Sequence, residues 1–280
     1  MVPTEDAGAV PESGGLLAPG RPVVLVVSYI GTAFAGFQRQ PAARTVQGAL
    51  EEALGDLAGM PVPVRGAGRT DAGVHALGQV VDCRLPERLR VPAGRLPAAL
   101  GRRLSADLGV IAAAEVGPDF HARYAARSKR YRYLLWRERA PSPFWRPFSW
   151  HYAGPLDLES MRAAAAHIVG RHDFRCFAGA ARPVEDAVRT VLDCTVAAQG
   201  PWVAVDVEAD GFLYRMVRAI AGTLVEVGRG ALGPQEFAGI LAARRRAAAG
   251  PSLPPHGLCL LGVRYGPEHP VPAPPSGWPP

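Results

Sequence analysis

A carboxylate between two glycines, with an arginine close by, is the feature of this sequence best suited to chemistry. It is Asp71, within residues 68–80 (GRTDAGVHALGQV). A polar, glycine-punctuated segment predicts a loop, and the residues that follow, 79–85 (QVVDCRL), are typical of a strand. Catalytic groups are often held on loops that a rigid sheet positions. Asp71 is therefore predicted to be an exposed, reactive acid, although an aspartate before a glycine is also typical of a simple Asx turn.

The composition limits the class of protein. The chain has 280 residues, of which 48% are hydrophobic, and it lacks any apolar run of the roughly 20 residues that span a bilayer. We therefore expect a globular protein of one large or two ordinary domains without a membrane role. Residues 1–20 have no sustained apolar core, so they are interpreted as a flexible tail rather than a signal peptide, and a cytoplasmic location is expected.

The cysteines and histidines do not indicate a metal site. The four cysteines form no C-x-x-C pair, and the seven histidines lack the spacing of metal ligands. We expect neither bound metal nor a disulfide framework. The cysteines are Cys83, Cys176, Cys194 and Cys259.

The positive charge is carried almost wholly by guanidinium groups. The net charge is +6, and Lys129 is the single lysine among 31 basic residues. Arginine matches phosphate oxygens and stacks on bases, which favours nucleic-acid binding. A GC-rich genome or an ordinary soluble surface gives the same bias, so charge alone leaves that function open.

Hydrophobic patterning predicts a β-α-β-β-α-β order in each half of an α+β protein. This order is that of ferredoxin-like folds, in which helices cover one face of an antiparallel sheet and RNA-recognition modules use the other. The two sheets either join or face each other across a basic cleft. We predict tails at 1–20 and 267–280, the second proline-rich and disordered, and halves at 21–118 and 119–266. Predicted strands are 22–29, 62–64, 80–85, 108–116, 130–136, 190–197, 203–208 and 258–265, and predicted helices are 45–57, 91–104, 156–169, 213–227 and 234–245.

The segment around Asp71 resembles the active-site motif of the tRNA pseudouridine synthase A family. Similar motifs follow in order over residues 22–266, which makes coincidence a poor explanation. They are 34–38 (FAGFQ), 119–123 (DFHAR), 130–133 (RYRY), 173–174 (DF), 189–190 (RT), 212–218 (FLYRMVR) and 257–258 (GL).

The resemblance implies an isomerase that converts uridine to pseudouridine in the anticodon stem and loop of tRNA, around positions 38–40. It implies no metal and no organic cofactor. It also implies a homodimer in which both subunits contact each tRNA. The reaction cuts the N1–C1′ bond, turns the uracil and joins C5 to C1′.

The resemblance also implies roles for four residues. Asp71 matches the essential aspartate, Arg218 the arginine that pairs with it, and Tyr131 the tyrosine that stacks on the target base. Arg69 is expected to contact RNA phosphate or to occupy the space of the extruded base. The carboxylate can attack the sugar, attack the base, or remove a sugar proton to form a glycal, and the sequence does not choose among these.

Other arginines are candidate contacts to the RNA backbone, and Arg218 is expected to share a basic helical face with Tyr214 and Arg215. His75 and His121 are interpreted as structural hydrogen-bonding groups. The candidate backbone contacts are Arg102, Arg103, Arg127, Arg130, Arg132 and Arg244 to Arg246.

Two departures and two alternatives accompany this interpretation. Ile30 stands where the family usually has aspartate and Phe37 where it often has tryptophan, which puts local RNA contacts or loop geometry in question rather than the chemistry.

One alternative is a non-catalytic RNA-binding or folding protein on the same scaffold. The other, a hydrolase using Asp71 and His75, is weaker, because a glycosidase needs a second carboxylate at the bond and Asp82 lies well along the next strand.

Overall fold

The protein forms one continuous sheet with helices packed against it. The structure is a computed structural model, and it describes residues 19–179 and 185–275. The first half contains β1 (Arg21–Tyr29), α1 (Val46–Ala58), β2 (Val64–Gly66), β3 (His75–Leu85), α2 (Leu96–Gly101) and β4 (Leu108–Glu115). The second half contains β5 (Ala126–Trp136), β6 (Trp150–His151), α3 (Leu158–Ala166), β7 (Gly170–Asp173), β8 (Val188–Gln199), β9 (Trp202–Ala209), α4 (Met216–Gly228), α5 (Pro234–Ala243) and β10 (Leu258–Tyr265).

The last strand joins the two halves. The strand order is β4-β1-β3-β10-β5-β9-β8-β7, with β2 paired to β3 and β6 to β5. β10 lies antiparallel to β5 and parallel to β3, where Cys259 is opposite His75. Of the two arrangements left open by the sequence, the sheets therefore join edge to edge. The α+β class is confirmed.

Helix α1 shows how the local sequence produces an element. Its N-cap Thr45 accepts a hydrogen bond from the Gly48 amide at 3.2 Å, and Gly59 ends the helix with a φ of 67°. Leu50 and Leu54, one turn apart, are fully buried beneath the helix. The helix predicted over residues 45–57 is thus confirmed within one residue at each end.

Four of the five predicted helices are shorter than expected. Helix α3 spans Leu158–Ala166 rather than 156–169, and α5 spans Pro234–Ala243 rather than 234–245. Over residues 91–104 only Leu96–Gly101 is α-helical, with Pro97 in the first turn, where proline is tolerated. Helix α4 begins at Met216 rather than at 213, because Arg215 before it has a φ of 60°. That left-handed conformation is rare outside glycine and interrupts the helical path.

The proline-rich C-terminal segment contacts the sheet. Pro274 packs against two glycines of the sheet, because a Cβ added at Gly78 or Gly262 would lie 2.4 or 2.9 Å from its ring atoms. The centroid of the His269 ring lies 5.1 Å from that of the Phe120 ring. The predicted disordered tail 267–280 therefore packs on the domain over 267–275, whereas 276–280 lie outside the described residues, as do residues 1–18. No helix in the described part of the chain is long and apolar enough to cross a membrane.

Candidate active site

Asp71 lies on the loop between β2 and β3, and the segment at residues 34–37 packs against this loop. The Phe37 amide donates to the Thr70 carbonyl at 3.0 Å, and the Val74 amide closes a turn on the Asp71 carbonyl at 3.1 Å. Gly36 has a φ of 96°, and a Cβ there would lie 2.9 Å from the Thr70 carbonyl oxygen. Glycine is needed at this contact because both the backbone angle and the close approach exclude a side chain.

The departure at Phe37 is accommodated inside the protein. Phe37 is 3% exposed, and its ring lies so close to Gly66 that a Cβ at Gly66 would meet it at 2.5 Å. Ile30, the other departure, lies on the surface. Neither side chain contributes a polar group to the Asp71 loop.

Arg218 brings the two halves of the chain together at Asp71. Its NH1 group donates to Asp71 Oδ2 at 3.0 Å, and its Nε donates to the Leu253 carbonyl at 2.6 Å. The side chain of Arg218 is 9% exposed and that of Asp71 is 22% exposed. The two groups form an ion pair, and the second hydrogen bond fixes the guanidinium plane.

Tyr131 lies in the same cleft on β5. Its ring is 7% exposed and packs edge to face on Phe212, with centroids 5.0 Å apart. Burial, followed by the neighbouring Tyr29 and Asp71, raises the pKa of the Tyr131 phenol. Tyr133, two residues further along, is fully buried and donates to the Pro254 carbonyl at 2.9 Å, in agreement with the core role expected for it.

Arg69 lies at the rim rather than against the acid. It is exposed, and its Nε donates to Gln38 Oε1 at 3.0 Å. Its guanidinium is thus turned toward the segment at residues 34–38, near the entrance of the cleft.

His75 ends the Asp71 loop and connects it by hydrogen bonds to distant segments of the chain. Its Nδ1 accepts a hydrogen bond from the Gly31 amide at 3.0 Å, so the ring proton belongs on Nε2, which faces the carbonyls of Pro147 at 2.9 Å and His256 at 3.1 Å. The residue is fully buried, and burial lowers the pKa of its imidazole. This geometry supports a structural role rather than acid–base catalysis.

The cleft above Asp71 has a volume of about 720 Å³ and is predominantly basic. Two tyrosines in its wall, Tyr124 and Tyr214, are exposed, and each lies beneath the guanidinium of a neighbouring arginine, at 5.6 and 4.9 Å from the ring centroid. The lining also contains Phe37, Gln38, Gln47, Arg65, Arg69, Asp71, His121, Arg123, Lys129, Tyr131, Arg189, Asp210, Phe212, Arg215 and Met216.

The cleft lies beside the first turns of two helices. Gln47 belongs to α1 and Met216 to α4, and both line it together with Tyr131 of the sheet. The site is therefore on the helix-bearing side of the sheet, not on the opposite side that RNA-recognition modules use.

Several arginines expected to bind RNA are engaged elsewhere. Arg130 and Arg132 pair with the buried Asp206 at 2.8 and 2.7 Å, and Arg127 pairs with Glu268 at 3.3 Å. Because side chains alternate along β5, Arg130 and Arg132 point away from the face that carries Tyr131. None of these three arginines lines the cleft, so the structure gives no support to the expectation that they contact the RNA backbone.

Apart from Arg69, the basic residues that line the cleft were not among the arginines expected to contact the RNA backbone. They are Arg65, Arg123, Lys129, Arg189 and Arg215. Side chains alternate along β5, so Lys129, two residues before Tyr131, could have been predicted to lie on the same face of the strand as Tyr131. Arg215 precedes α4, so the predicted helical face shared by Tyr214, Arg215 and Arg218 is not formed.

No cluster of metal-ligating residues accompanies the site. Across the described residues, no group of three or more histidine, cysteine, aspartate or glutamate side chains could hold a metal ion. The expectations of no metal and no organic cofactor stay predictions.

Comparison with known proteins decides the family. A family model described as tRNA pseudouridine synthase matches residues 25–125 and 164–266. The chain belongs to the tRNA pseudouridine synthase family. The protein named tRNA pseudouridine synthase A from Moorella thermoacetica is 49% identical over 243 residues, covering 86% of this chain and 98% of that protein. The protein of the same name from Halalkalibacterium halodurans is 47% identical over 235 residues, covering 84% and 89%.

The resemblance inferred from the motifs is therefore confirmed, and this pseudouridine synthase is an isomerase. Among solved structures, a crystal structure of a Cbf5–Nop10–Gar1 complex aligns with 73% of this chain and 45% of that chain. The identity is 13% and the TM-score 0.33, a likeness too weak to support an argument.

Proposed function

We propose that this pseudouridine synthase isomerises uridines at positions 38–40 in the anticodon stem and loop of tRNA, with Asp71 as the nucleophile. The ion pair between Asp71 and Arg218 at the floor of the basic cleft is the observation that carries the proposal. The cleft joins a single reactive carboxylate to aromatic and cationic groups of the kind that hold an extruded nucleotide.

The residues of the cleft suit the steps of the reaction. The uridine leaves its stack and its base packs on Tyr131. The N1–C1′ bond breaks, the uracil turns, and C5 bonds to C1′; C5 then loses its proton and N1 gains one. Asp71 acts on the sugar, on the base, or on a sugar proton, and in all three modes Arg218 holds the carboxylate in place through the ion pair.

Arg69 is proposed to act during extrusion of the base. It is exposed at the rim, and one hydrogen bond to Gln38 holds it. A long side chain with one neutral partner can exchange that partner for an RNA phosphate or move into the space that the uridine leaves.

The resemblance to the family supports a proposal for the assembly and location of the protein. We propose a homodimer that binds tRNA across both subunits in the cytoplasm, where tRNA is processed. Sedimentation equilibrium is expected to give twice the 29.6 kDa chain mass, and a monomer mass would refute the dimer.

Release of the uracil C5 hydrogen tests the activity and the nucleophile together. With tRNA tritiated at C5, the native protein is expected to release label, whereas Asp71→Ala and Asp71→Asn are expected to retain it. The Asn variant keeps the shape of the side chain and so serves as the control for folding. Release that persists in either variant would refute Asp71 as the nucleophile.

The products separate the competing functions. Free uracil without C5 release would indicate a hydrolase, and tight binding without either product would indicate the non-catalytic RNA-binding protein. Transcripts in which U38, U39 or U40 is replaced singly by cytidine then map the site. Each modified position should lose its pseudouridine in the matching transcript alone.

A further inference from the structure

We infer that Lys129 forms a phosphate-binding subsite in the cleft and holds the backbone phosphate that adjoins the uridine being isomerised. This inference rests on the proposed function and specifies how the same cleft holds its RNA. The first observation is compositional, since the single lysine among 31 basic residues lies in this cleft.

The position of Lys129 links the aromatic platform to the catalytic loop. It lies two residues before Tyr131 on β5, so both side chains leave the same face of the strand, roughly 7 Å apart. Its Cδ and Cε lie 3.7 and 3.3 Å from where a Cβ of Gly68 would be, which places the aliphatic stem over the start of the Asp71 loop. A group bound at its ammonium therefore lies close to a base stacked on Tyr131.

The ammonium has no counter-ion within the described part of the protein. No carboxylate lies within 4.0 Å of it and it makes no hydrogen bond there, whereas Arg130 and Arg132 of the same strand share Asp206. Lys129 is half-buried, so its positive charge is incompletely hydrated. An unpaired cation at such a position is costly unless an anion binds to it.

The surroundings add positive charge. Burial, and then Arg123, lower the pKa of Lys129, and Arg189 acts in the same direction, while Asp210 opposes them. Asp210 accepts a hydrogen bond from the Thr190 amide at 3.0 Å and is not bonded to the lysine. The local field therefore attracts an anion, and in a nucleic-acid cleft the available anion is a phosphate. An ammonium suits a single phosphate because its three donors can turn to the oxygens.

The salt dependence of RNA binding gives the first test. An anticodon stem-loop RNA with one target uridine is titrated at several salt concentrations in an Asp71→Asn background, which prevents turnover. Lys129→Gln is expected to make the slope of log affinity against log salt shallower by about 0.7 to 0.9, the value for one lost phosphate contact. Lys129→Arg keeps the charge and should keep the slope.

Arg127→Gln is the matched control. Arg127 lies on the same strand, loses the same charge, pairs with Glu268 and does not line the cleft, so the slope should not change. An equal slope for native and Lys129→Gln proteins, or an equal effect of Arg127→Gln, would overturn the subsite.

Replacing one backbone phosphate by a neutral methylphosphonate shows which phosphate Lys129 contacts. Two RNAs are compared, with the methylphosphonate at the linkage 5′ or 3′ to the target uridine. At one of these two linkages the substitution should weaken binding to the protein with Lys129 about tenfold and to the Lys129→Gln protein hardly at all. If both proteins respond equally at both linkages, Lys129 does not bind the adjoining phosphate.

Two further measurements keep the outcomes separate. Acylation of the single lysine side chain in the native protein, followed by peptide mass spectrometry, should be blocked by the RNA, and this requires no variant to fold. Release of C5 label by native protein reports the proposed function independently. Isomerisation without protection of the lysine would refute the phosphate subsite and leave the proposed function standing. Protection of the lysine without isomerisation would refute the proposed function and leave the subsite standing.

Discussion

At the scale of single residues, the site depends on placing opposite charges and an aromatic ring in fixed positions. Arg218 contacts Asp71 through NH1 and the Leu253 carbonyl through Nε. A lysine would not fix both partners in one plane, because its ammonium is a compact charge on a flexible stem rather than a rigid planar fork. The carboxylate is thus oriented as well as stabilised, and the remaining exposed part of Asp71 faces the cleft.

Tyr131 is expected to bind the base through its ring. Tyr131→Phe should leave RNA affinity within about twofold, because the phenol has no hydrogen bond within the described protein, whereas Tyr131→Ala should weaken it roughly 5- to 150-fold, the worth of one stacked base. Equilibrium binding in the Asp71→Asn background measures both. A large loss of affinity in the Phe variant would show that the hydroxyl contacts RNA.

At the scale of elements, the loop that carries Asp71 is held by its neighbours rather than by its own sequence. The Phe37 amide bonds the Thr70 carbonyl, and His75 connects the end of the loop to Gly31, Pro147 and His256. These contacts join three segments that are distant in sequence. The position of the carboxylate therefore depends on packing at residues that take no part in the chemistry.

Gly36→Ala should displace this loop. The substitution forces a Cβ against the Thr70 carbonyl at an unfavourable positive φ, so we expect a loss of about 1–3 kcal/mol of stability and a lower kcat. Gly109→Ala in β4 is the control, since nothing lies within 4 Å of its new Cβ. Urea denaturation and C5 release measure the two effects, and equal behaviour of the two variants would contradict the close contact.

His75 should make stability sensitive to acid. Because burial lowers its pKa in the folded state, the unfolded chain binds the extra proton first, and stability is lost as pH falls below roughly 6.5. Protonation of Nδ1 would also break its bond to Gly31. In urea denaturation at pH 7.5, 6.5 and 5.5, the stability advantage of native protein over His75→Gln should shrink as pH falls. An advantage that grows toward acid would have the wrong sign. His121 and His256 are present in both proteins, so their protonation cancels in the difference between the two stabilities.

At the scale of the whole molecule, β10 makes one sheet from two ferredoxin-like halves. It comes from the C-terminal end of the chain yet pairs with β3 of the first half and β5 of the second. The cleft lies where the halves meet, and the Arg218–Asp71 bond spans 147 positions of sequence. A substitution that destabilises one half should therefore destabilise the other half as well.

Leu54→Ala tests this coupling. Leu54 is fully buried under α1, so its truncation should cost about 2–5 kcal/mol. The tryptophans in the described residues, at 136, 145, 150 and 202, all belong to the second half. Their fluorescence transition should nevertheless shift together with the circular dichroism transition. An unmoved fluorescence midpoint would show that the halves unfold separately. Ile111→Ala, at a partly exposed position of β4, should change little.

Much of the fold and part of the site were predictable from local patterns. The period of apolar residues predicted the helix at Val46–Ala58 and the closing strand at Leu258–Tyr265, because each element shows its own periodicity. The two-residue β6 and the polar β7 were missed, since such short strands show no period and exist only through pairing. The side of β5 that meets the cleft was not predictable, because alternation gives two faces and does not say which one lines it.

The sequence by itself determined the family, the order of elements and the loop that carries Asp71, since these depend on residues close together along the chain. The resemblance implied that Arg218 pairs with Asp71, and the tertiary structure supplied the geometry of that pair. Only the tertiary structure decided that β10 joins the sheets and that Lys129 rather than Arg130 faces the cleft. Contacts between distant segments depend on which edges and faces pack together, and no local pattern encodes that choice.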